Sequence, residues 1–308
     1  MKVFRMIGIM TLVSAALLIS ACASEPATSD APKASAAAAP AAKASTAPAT
    51  KVPAATTAPV AAATTAPAAT AAPAKPAVLP DTQTASLVPS EASEILSGVN
   101  VLLITRTPAD TPSAYDKVLK DWLAGTGAKV TVAAGKALTD EETPNFLKDK
   151  NLVVIAGSVD SKTVAGKFKD VKIPVISFKH YVSDDFGLAP ADSQGDIKTA
   201  YQQVKIGANK DHALNAANPA NSLVRIYNKL GSIEYTTGLP AGATVIATLP
   251  DDPKKAVIFA FETGKKGADG VAVPARRVFS TFFDGQQDNL TQEGVDLINA
   301  ALLWAINF

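Results

Sequence analysis

The chain has 308 residues, with 29 Lys and Arg against 28 Asp and Glu, so its formal net charge at pH 7 is +1. A nearly neutral chain has no basic surplus with which to bind nucleic acid or an acidic membrane surface. One cysteine and two histidines exclude an internal disulfide and leave few groups for metal binding or acid–base catalysis. We therefore expect no metal, no cofactor and no nucleic-acid partner.

The N-terminus has the pattern of a secretory signal. Basic residues precede the apolar run Met6–Ile19, which is too short to cross a bilayer comfortably, and the small pair Ser20-Ala21 follows. Cys22, the only cysteine, comes next. The segment resembles the lipobox of bacterial lipoproteins, in which this thiol is diacylated and becomes the first residue after cleavage. A chance cysteine at an ordinary signal-peptidase site is the alternative.

The lipobox resemblance implies a location and a first partner. Residues 1–21 would be removed, and Cys22 would hold the mature chain to a membrane through its lipid. Ala23 follows the cysteine where inner-membrane retention would favour Asp, so the resemblance implies the periplasmic face of the outer membrane in a Gram-negative cell. We expect a second partner, an envelope ligand or protein whose identity the sequence does not give.

Residues 22–97 are predicted to be the acylated cysteine and a disordered tether. From 23 to about 80 the chain is almost entirely Ala, Pro, Thr, Ser and Lys, without an aromatic residue. Such a segment cannot bury enough apolar surface to fold, and its prolines prevent the alanines from forming a helix. We interpret it as a passive spacer; a wall-associating or glycosylated stalk is the alternative.

Residues 98–308 are predicted to form one α/β domain. Four apolar runs of strand length occur in its first part: Val99–Thr105, Lys129–Ala133, Leu152–Ala156 and Ile173–Phe178. Apolar residues at helical spacing predict helices at Ala114–Ala124 and Lys162–Phe168. Alternating strands and helices of this kind predict a doubly wound, mostly parallel sheet of the flavodoxin-like class.

After Asp184, short strand-like runs separated by turn residues predict an antiparallel extension of the sheet. The runs are Ala200–Ile206, Leu223–Tyr227, Ser232–Thr236, Thr244–Leu249, Ala256–Phe261 and Arg277–Phe283. The chain ends in its clearest amphipathic helix, Thr291–Ile306, for which Thr291 is the expected N-cap. We expect this helix to pack on the sheet.

Taken in order, several segments resemble a bacterial family with the class I glutamine amidotransferase-like fold, similar to trehalose-utilisation-type domains. The segments are VLLIT, LVVIAGSVDSKTVAGKFKDVKIPVISF, ATVIATL, AVIFAFETG, VPARRVFSTFF and LTQEGVDLINAALLWA. His212 lies in a segment that resembles the family's D-H-P-L, with Ala in place of Pro. Enzymes of this fold use a Cys on a strand-to-helix elbow and a nearby His and Glu, and this chain departs from that set at every member. The resemblance implies the fold without its catalytic residues.

Ser158 stands at the predicted elbow after the third strand. A strained nucleophile elbow needs small residues two positions before and after the serine; Ala156 meets this requirement and Asp160 does not. We interpret the segment as a helix start that Ser158 or Asp160 caps. The alternative is a hydrolase site that uses Ser158, or the cluster of His180 with Asp184 and Asp185.

The candidate binding residues are Asp160, His180, Tyr181 and Arg276. His180 and Tyr181 follow the fourth strand, at the edge where open α/β sheets bind ligands. Asp184 and Asp185 are a candidate carboxylate pair for glycoside hydrolysis, with a helix start as the alternative. Arg276 and Arg277 point to opposite faces of a strand, so one of them can bind a carboxylate or phosphate; a surface ion pair is the alternative.

Three functional hypotheses are compatible with these residues. We favour an envelope lipoprotein whose amidotransferase-like domain binds a ligand or partner without catalysis. The first alternative is a periplasmic hydrolase acting on a glycan or amide. The second is a carbohydrate-binding module, which predicts an exposed platform built from the five tyrosines: Tyr115, Tyr181, Tyr201, Tyr227 and Tyr235.

Overall fold

The computed structural model describes residues 78–80, 94–209, 211–282 and 284–307. They all belong to one unit, Ala68–Phe308. The predicted signal segment 1–21, the acylation site Cys22 and nearly all of the predicted tether lie outside the described residues. Within the described ranges, no helix is both long enough and apolar enough to cross a membrane.

One mixed sheet of 11 strands organises the described part of the chain. The strands are β1 (Asn100–Thr105), β2 (Lys129–Ala134), β3 (Leu152–Ile155), β4 (Val175–Ser177), β5 (Gln194–Tyr201), β6 (Gln203–Ile206), β7 (Leu223–Arg225), β8 (Gly231–Thr236), β9 (Thr244–Thr248), β10 (Ala256–Phe261) and β11 (Arg277–Phe279). The helices are α1 (Ala114–Gly125), α2 (Thr143–Leu147), α3 (Ser161–Val164) and α4 (Gln292–Ile306).

The first part of the sheet is parallel, in the order β2-β1-β3-β4-β11. The prediction that the first four apolar runs are neighbouring parallel strands is confirmed. β4 begins at Val175 and not at Ile173, because Pro174 has no N–H to donate to a neighbouring strand. β11, from the last of the later runs, pairs in parallel with β4 and so completes this part of the sheet.

The rest of the sheet is antiparallel, as predicted. It continues from β11 through β10, β9, β6 and β7, while β8 pairs with β10 and with β5. The predicted single strand Ala200–Ile206 is wrong, because β5 ends at Tyr201 and β6 begins at Gln203. Gln202 forms the corner between them, and its carbonyl accepts hydrogen bonds from the N–H groups of Ile226 (2.8 Å) and Tyr227 (3.1 Å).

Side-chain caps fix where the two long helices begin. Ser113 Oγ accepts from Asp116 N at 3.1 Å at the start of α1, and Thr291 Oγ1 accepts from Gly294 N at 3.2 Å at the start of α4, as predicted. The helix predicted at Lys162–Phe168 is shorter: α3 ends at Val164 and continues as the 3₁₀ turn Ala165–Phe168. α4 packs against β4, β7 and β11.

The core has two layers, one on each face of the sheet, because successive strand residues point to opposite sides. The first layer, which we call the α1 face, includes Val101, Leu103, Val154, Trp122 and Leu302. The second, the α3 face, includes Leu102, Val153, Phe168, Phe259 and Phe279. Polar side chains on the same face of the sheet can therefore contact one another, whereas those on opposite faces are kept apart.

Candidate functional site

The carboxyl ends of the parallel strands form an open cleft of about 590 Å³. Its lining comes from four connections: Arg106 after β1, Lys136 after β2, Val159 to Ser161 after β3, and Lys179 and Tyr181 after β4. Ligands of open α/β sheets bind outside this edge. The structure thus brings together the predicted binding residues Asp160 and Tyr181. The cleft also contains three cationic side chains that the sequence analysis did not select: Arg106, Lys136 and Lys179. Arg106 and Lys179 each directly follow a predicted strand, and this position is the signal that could have identified them.

Two of these cations have donors available to a ligand. Arg106 Nε donates to the Ser158 carbonyl at 2.6 Å, and its Nη2 lies 3.5 Å from Asp284 Oδ2. Arg106 Nη1 makes no hydrogen bond, and Lys136 Nζ no ion pair, with any residue that the structure describes. Both groups therefore offer N–H donors that a carboxylate can accept from.

Asp160 has the capping role that was predicted for it or for Ser158. Its Oδ1 accepts from Lys162 N at 3.1 Å at the start of α3. The capping bond holds the carboxylate beside the cleft. Its second oxygen is free of any hydrogen bond to the described residues, so it can accept from a ligand hydroxyl.

Ser158 does not face the cleft. It is fully buried on the α1 face, and its Oγ donates to Asp116 Oδ1. The other carboxylate oxygen, Asp116 Oδ2, accepts from Thr107 Oγ1 at 3.0 Å. The hydroxyl of Ser158 thus joins the elbow to α1 and to the connection after β1, and it is not presented to solvent as a nucleophile would be.

Tyr115 joins two of the edge connections below the cleft. Its OH donates to the Phe282 carbonyl at 2.6 Å and accepts from Gly157 N at 3.2 Å. A Cβ at Gly157 would lie 2.8 Å from the Phe282 oxygen, so this close approach requires glycine. Burial is the main reason that the pKa of Tyr115 lies well above its usual range. The hydroxyl therefore stays protonated and keeps both bonds.

His180 is also fully buried, but on the α3 face. Its Nδ1 lies 3.0 Å from Thr236 Oγ1, and its ring packs edge-on against Phe259 and Phe279. Burial lowers the pKa of His180 to about 3, with partial opposition from backbone groups of neighbouring strands. Ser158 thus packs with α1 and His180 with the aromatic rings of the α3 face, and neither side chain is among those that line the cleft.

An ion pair from the antiparallel half supports the cleft wall. Lys179 Nζ lies 2.6 Å from Glu234 Oε1, and Glu234 Oε2 accepts from His180 N at 2.7 Å. Burial raises the pKa of Glu234, and the positive charge of Lys179 opposes that shift. Sequence reasoning missed Glu234, because no local pattern indicates that β8 comes beside the loop after β4.

Tyr181 is fixed in orientation at the same wall. Its OH donates to Asp196 Oδ1 at 3.0 Å, and Lys179 Nζ lies 5.0 Å from the ring centroid. Burial, followed by the hydrogen bond to Asp196, raises the pKa of Tyr181 to about 12. The phenol is therefore neutral and half-buried, with an exposed part that contributes to the cleft lining.

Asp184 and Asp185 lie in turns after β4, and the helix start considered for them is not present. Gly187 N donates to the Asp184 carbonyl at 2.7 Å, which closes a turn at Gly187 with its φ of 69°. Partial desolvation, and then the charge of Asp184, raises the pKa of Asp185. Neither carboxylate lines the cleft with Asp160, and neither contacts the His180 ring.

Arg276 lies in a different place, at the C-terminal end of α4. Its Nε donates to Glu262 Oε2 at 3.1 Å, its Nη1 donates to the Trp304 carbonyl at 2.5 Å, and its guanidinium stacks 4.5 Å from the Trp304 ring. The surface ion pair that was the alternative for Arg276 is thus present, and it includes a helix C-cap. His212 packs nearby, with its ring 5.4 Å from that of Trp304.

Arg277 points to the opposite face, as strand alternation predicted. It is 1% exposed, and its two terminal nitrogens donate to backbone carbonyls, among them those of Val171 (2.6 Å) and Ile173 (3.0 Å). Burial lowers the pKa of Arg277 to about 10, so it remains charged at neutral pH. It fastens β11 to the loop before β4 and is inaccessible to a ligand.

The five tyrosines do not form a common platform. Tyr115, Tyr201 and Tyr227 are buried in the α1-face core. Tyr181 and Tyr235 are half-buried, and each has a lysine ammonium 5.0 Å from its ring centroid. Tyr181 alone among them lines the cleft.

No three His, Cys, Asp or Glu side chains are grouped closely enough to hold a metal ion within the part of the chain that the structure describes. No protein-family model matches the chain, and no curated protein matches it in sequence.

Proposed function

We propose that this chain is a lipid-anchored envelope protein whose domain binds an acidic glycan in the carboxyl-edge cleft. The anchor is the acylated Cys22, followed by the Ala/Pro-rich tether, and Ala23 favours the periplasmic face of the outer membrane. Such an anchor holds the domain within reach of the polymers of the cell envelope, many of which carry sugar hydroxyls and carboxylates.

The proposed fold is the doubly wound, flavodoxin-like arrangement of the amidotransferase-like family. The strand order β2-β1-β3-β4 supports this proposal, as do α1 and α3, which contribute side chains to opposite faces of the sheet. Family members of this kind place their chemistry at the carboxyl edge, so the cleft lies where the proposal requires a ligand site.

The observation that carries the binding proposal is the composition of the cleft. Arg106 Nη1 and Lys136 Nζ supply donors for carboxylates, and the free oxygen of Asp160 accepts from hydroxyls. Tyr181 supplies an oriented ring face against which a sugar ring can pack. Opposite charges interspersed over one cleft favour a ligand that has both acidic groups and hydroxyls over a simple anion.

The surroundings of the buried polar groups favour binding over hydrolysis. A nucleophile must lie within hydrogen-bond reach of its base, and the two must meet at a place that substrate can enter. Ser158 is bonded to Asp116 on one face of the sheet, and His180 is enclosed by aromatic rings on the other. The groups that do face the cleft are suited to positioning a ligand.

Isothermal titration of the full-length protein in detergent micelles tests the binding proposal. The probes are soluble muramyl peptides, which carry carboxylates, and neutral chitin oligosaccharides of similar length. We expect binding of the acidic probe, and the double variant Arg106→Ala/Lys136→Ala should weaken it at least about tenfold, since each charge-assisted bond contributes about 1.5 to 3 kcal/mol. Lys148→Ala, an exposed lysine at the other edge, is the matched control.

Equal binding of the two probes, or equal affinity of the double variant and the wild type, would contradict the acidic-glycan proposal. Cleavage of the probe that is lost in Ser158→Ala would replace it with the hydrolase hypothesis. The anchor is tested separately: Cys22→Ser should move the protein from the membrane fraction to the soluble one, and retention in the membrane would overturn the lipid assignment.

A further inference from the structure

Leu79 lies within the predicted tether, yet its backbone is hydrogen-bonded to the domain. Its N–H donates to Gln202 Oε1 at 2.8 Å, and its carbonyl accepts from Gln202 Nε2 at 3.3 Å. One side-chain amide thus pairs with both backbone groups of one residue, as the backbone of a neighbouring β-strand would.

The domain fixes the Gln202 side chain in the orientation that this pairing requires. It is 3% exposed, and its Nε2 also donates to the Asn228 carbonyl at 2.7 Å, which fixes the plane of the amide. The sequence also distinguishes Leu79, the partner of Gln202. Leu79 is the first leucine after Cys22, and Pro80 follows it. A residue before proline favours the extended backbone that such pairing requires.

The sheet topology shows at which edge Gln202 lies. β10 runs antiparallel to β11, β9 antiparallel to β10, and β6 antiparallel to β9, so β6 begins at the edge where β4 and β11 end. The register Lys205↔Thr248 places Gln202 beyond the end of β9, and Tyr201 OH bonds Asp251 there at 2.9 Å. Gln202 is therefore on the carboxyl edge, four strands along from β4, or about 19 Å at the usual spacing.

β1, in contrast, begins at the amino edge of the sheet. The chain just before β1 is already packed there, since Leu96 is buried and its N–H donates to the Thr126 carbonyl at 2.8 Å, so a tether without further contacts would join the domain near Glu94, on the side away from the cleft. The chain between Pro80 and Glu94 is long enough to connect the two edges, since extended residues span up to about 3.6 Å each.

We propose that Gln202 is a clamp that fastens the tether to the domain at Leu79, and that it thereby moves the point of attachment from the amino edge to the edge that carries the cleft. One consequence rests on the proposed lipid anchor: the chain that leads back to Cys22 would leave the domain at the edge that carries the cleft. The clamp itself requires neither lipid nor ligand.

Distances between pairs of nitroxide labels test the clamp in the full-length chain. Cys22→Ser removes the only native cysteine, so that labels attach only at introduced ones. One label is placed at Val78→Cys, which is 66% exposed. The second is placed at Lys254→Cys, in the turn that joins β9 to β10 at the carboxyl edge, or at Ala241→Cys, in the turn before β9; both positions are exposed and lie at opposite ends of a strand about 17 Å long.

We expect a narrow distance distribution from Val78→Cys to both sites, with the Lys254→Cys distance the shorter. Gln202→Ala should broaden both distributions, whereas Gln203→Ala, the same change one residue later, should leave them narrow. The pair Ala241→Cys and Lys254→Cys, measured in Gln202→Ala, shows that the domain remains folded if its distance is unchanged. Broad distributions in the unmutated background, a shorter distance to Ala241→Cys, or narrow distributions that survive in Gln202→Ala would overturn the proposal, whatever the outcome of the glycan and membrane tests.

Discussion

The two faces of the sheet accommodate buried polar groups in different ways. On the α1 face, Ser158 donates to Asp116, and the Tyr115 hydroxyl bonds the Phe282 carbonyl and the Gly157 N–H, so each buried group has a hydrogen-bond partner. On the α3 face, His180 and Arg277 are enclosed by apolar side chains and depend on a single hydroxyl or on backbone carbonyls. The two faces therefore differ in what stabilises their polar groups: hydroxyl and carboxylate hydrogen bonds on the α1 face, and a neutral, buried imidazole and a buried cation on the α3 face, where protonation of His180 would cost stability.

Arg277→Ala is expected to have the largest effect on stability. The substitution removes a buried cation that bonds several carbonyls of the loop before β4, and those carbonyls would then be buried without a donor. We expect the free energy of unfolding to fall by about 4 kcal/mol, as is typical when several hydrogen bonds to a charged group are lost. Urea denaturation measures this loss.

Arg276→Ala is the control for that experiment, because the neighbouring arginine is partly exposed, and water can replace its ion pair and its hydrogen bond to the Trp304 carbonyl at the end of α4. It should cost about 1 kcal/mol. Similar losses in the two variants would show that burial on the α3 face does not distinguish them.

The sequence predicted the part of the fold that repeats a simple pattern. Val99–Thr105 and Leu152–Ala156 are continuous apolar runs, and buried parallel strands require such runs. The corner at Gln202 and the ion pair of Lys179 with Glu234 were not predictable, because each depends on residues brought together from distant strands. Asp160 and Tyr181 were found because they lie in the short connections that follow predicted strands, whereas the burial of His180 depends on β8, β10 and β11 packing around it.

The pH dependence of stability, which His180 controls, is the second test of the difference between the two faces. Its pKa is lowered from 6.5 to about 3 in the folded state, so below pH 6.5 the unfolded chain binds a proton that the folded chain does not. Stability conferred by the neutral ring is therefore present above pH 6.5 and falls by about 1.4 kcal/mol for each unit of decreasing pH until about 3. Unfolding by urea at a series of pH values measures this slope.

His180→Asn should flatten the slope between pH 6.5 and 4.5, because asparagine keeps a hydrogen-bonding atom near Thr236 and has no proton to gain. His212→Asn is the matched control. The pKa of His212 is also lowered by burial, but its ring is partly exposed, so this variant should retain most of the slope. A slope that His180→Asn leaves unchanged would show that other groups control the acid response of the α3 face.

Ser158→Ala is expected to have the smallest effect and tests the hydrogen bonds of the α1 face. Asp116 loses one of its two hydroxyl donors but keeps Thr107, so the free energy of unfolding should fall by about 1 to 2 kcal/mol. A double-mutant cycle with Asp116→Asn measures the coupling directly. If the hydroxyl serves structure, the two changes together should cost clearly less than the sum of the separate losses, since either one alone breaks the same bond. Additive losses would mean that Ser158 and Asp116 act independently, and the hydrogen bond between them would then not stabilise the α1 face.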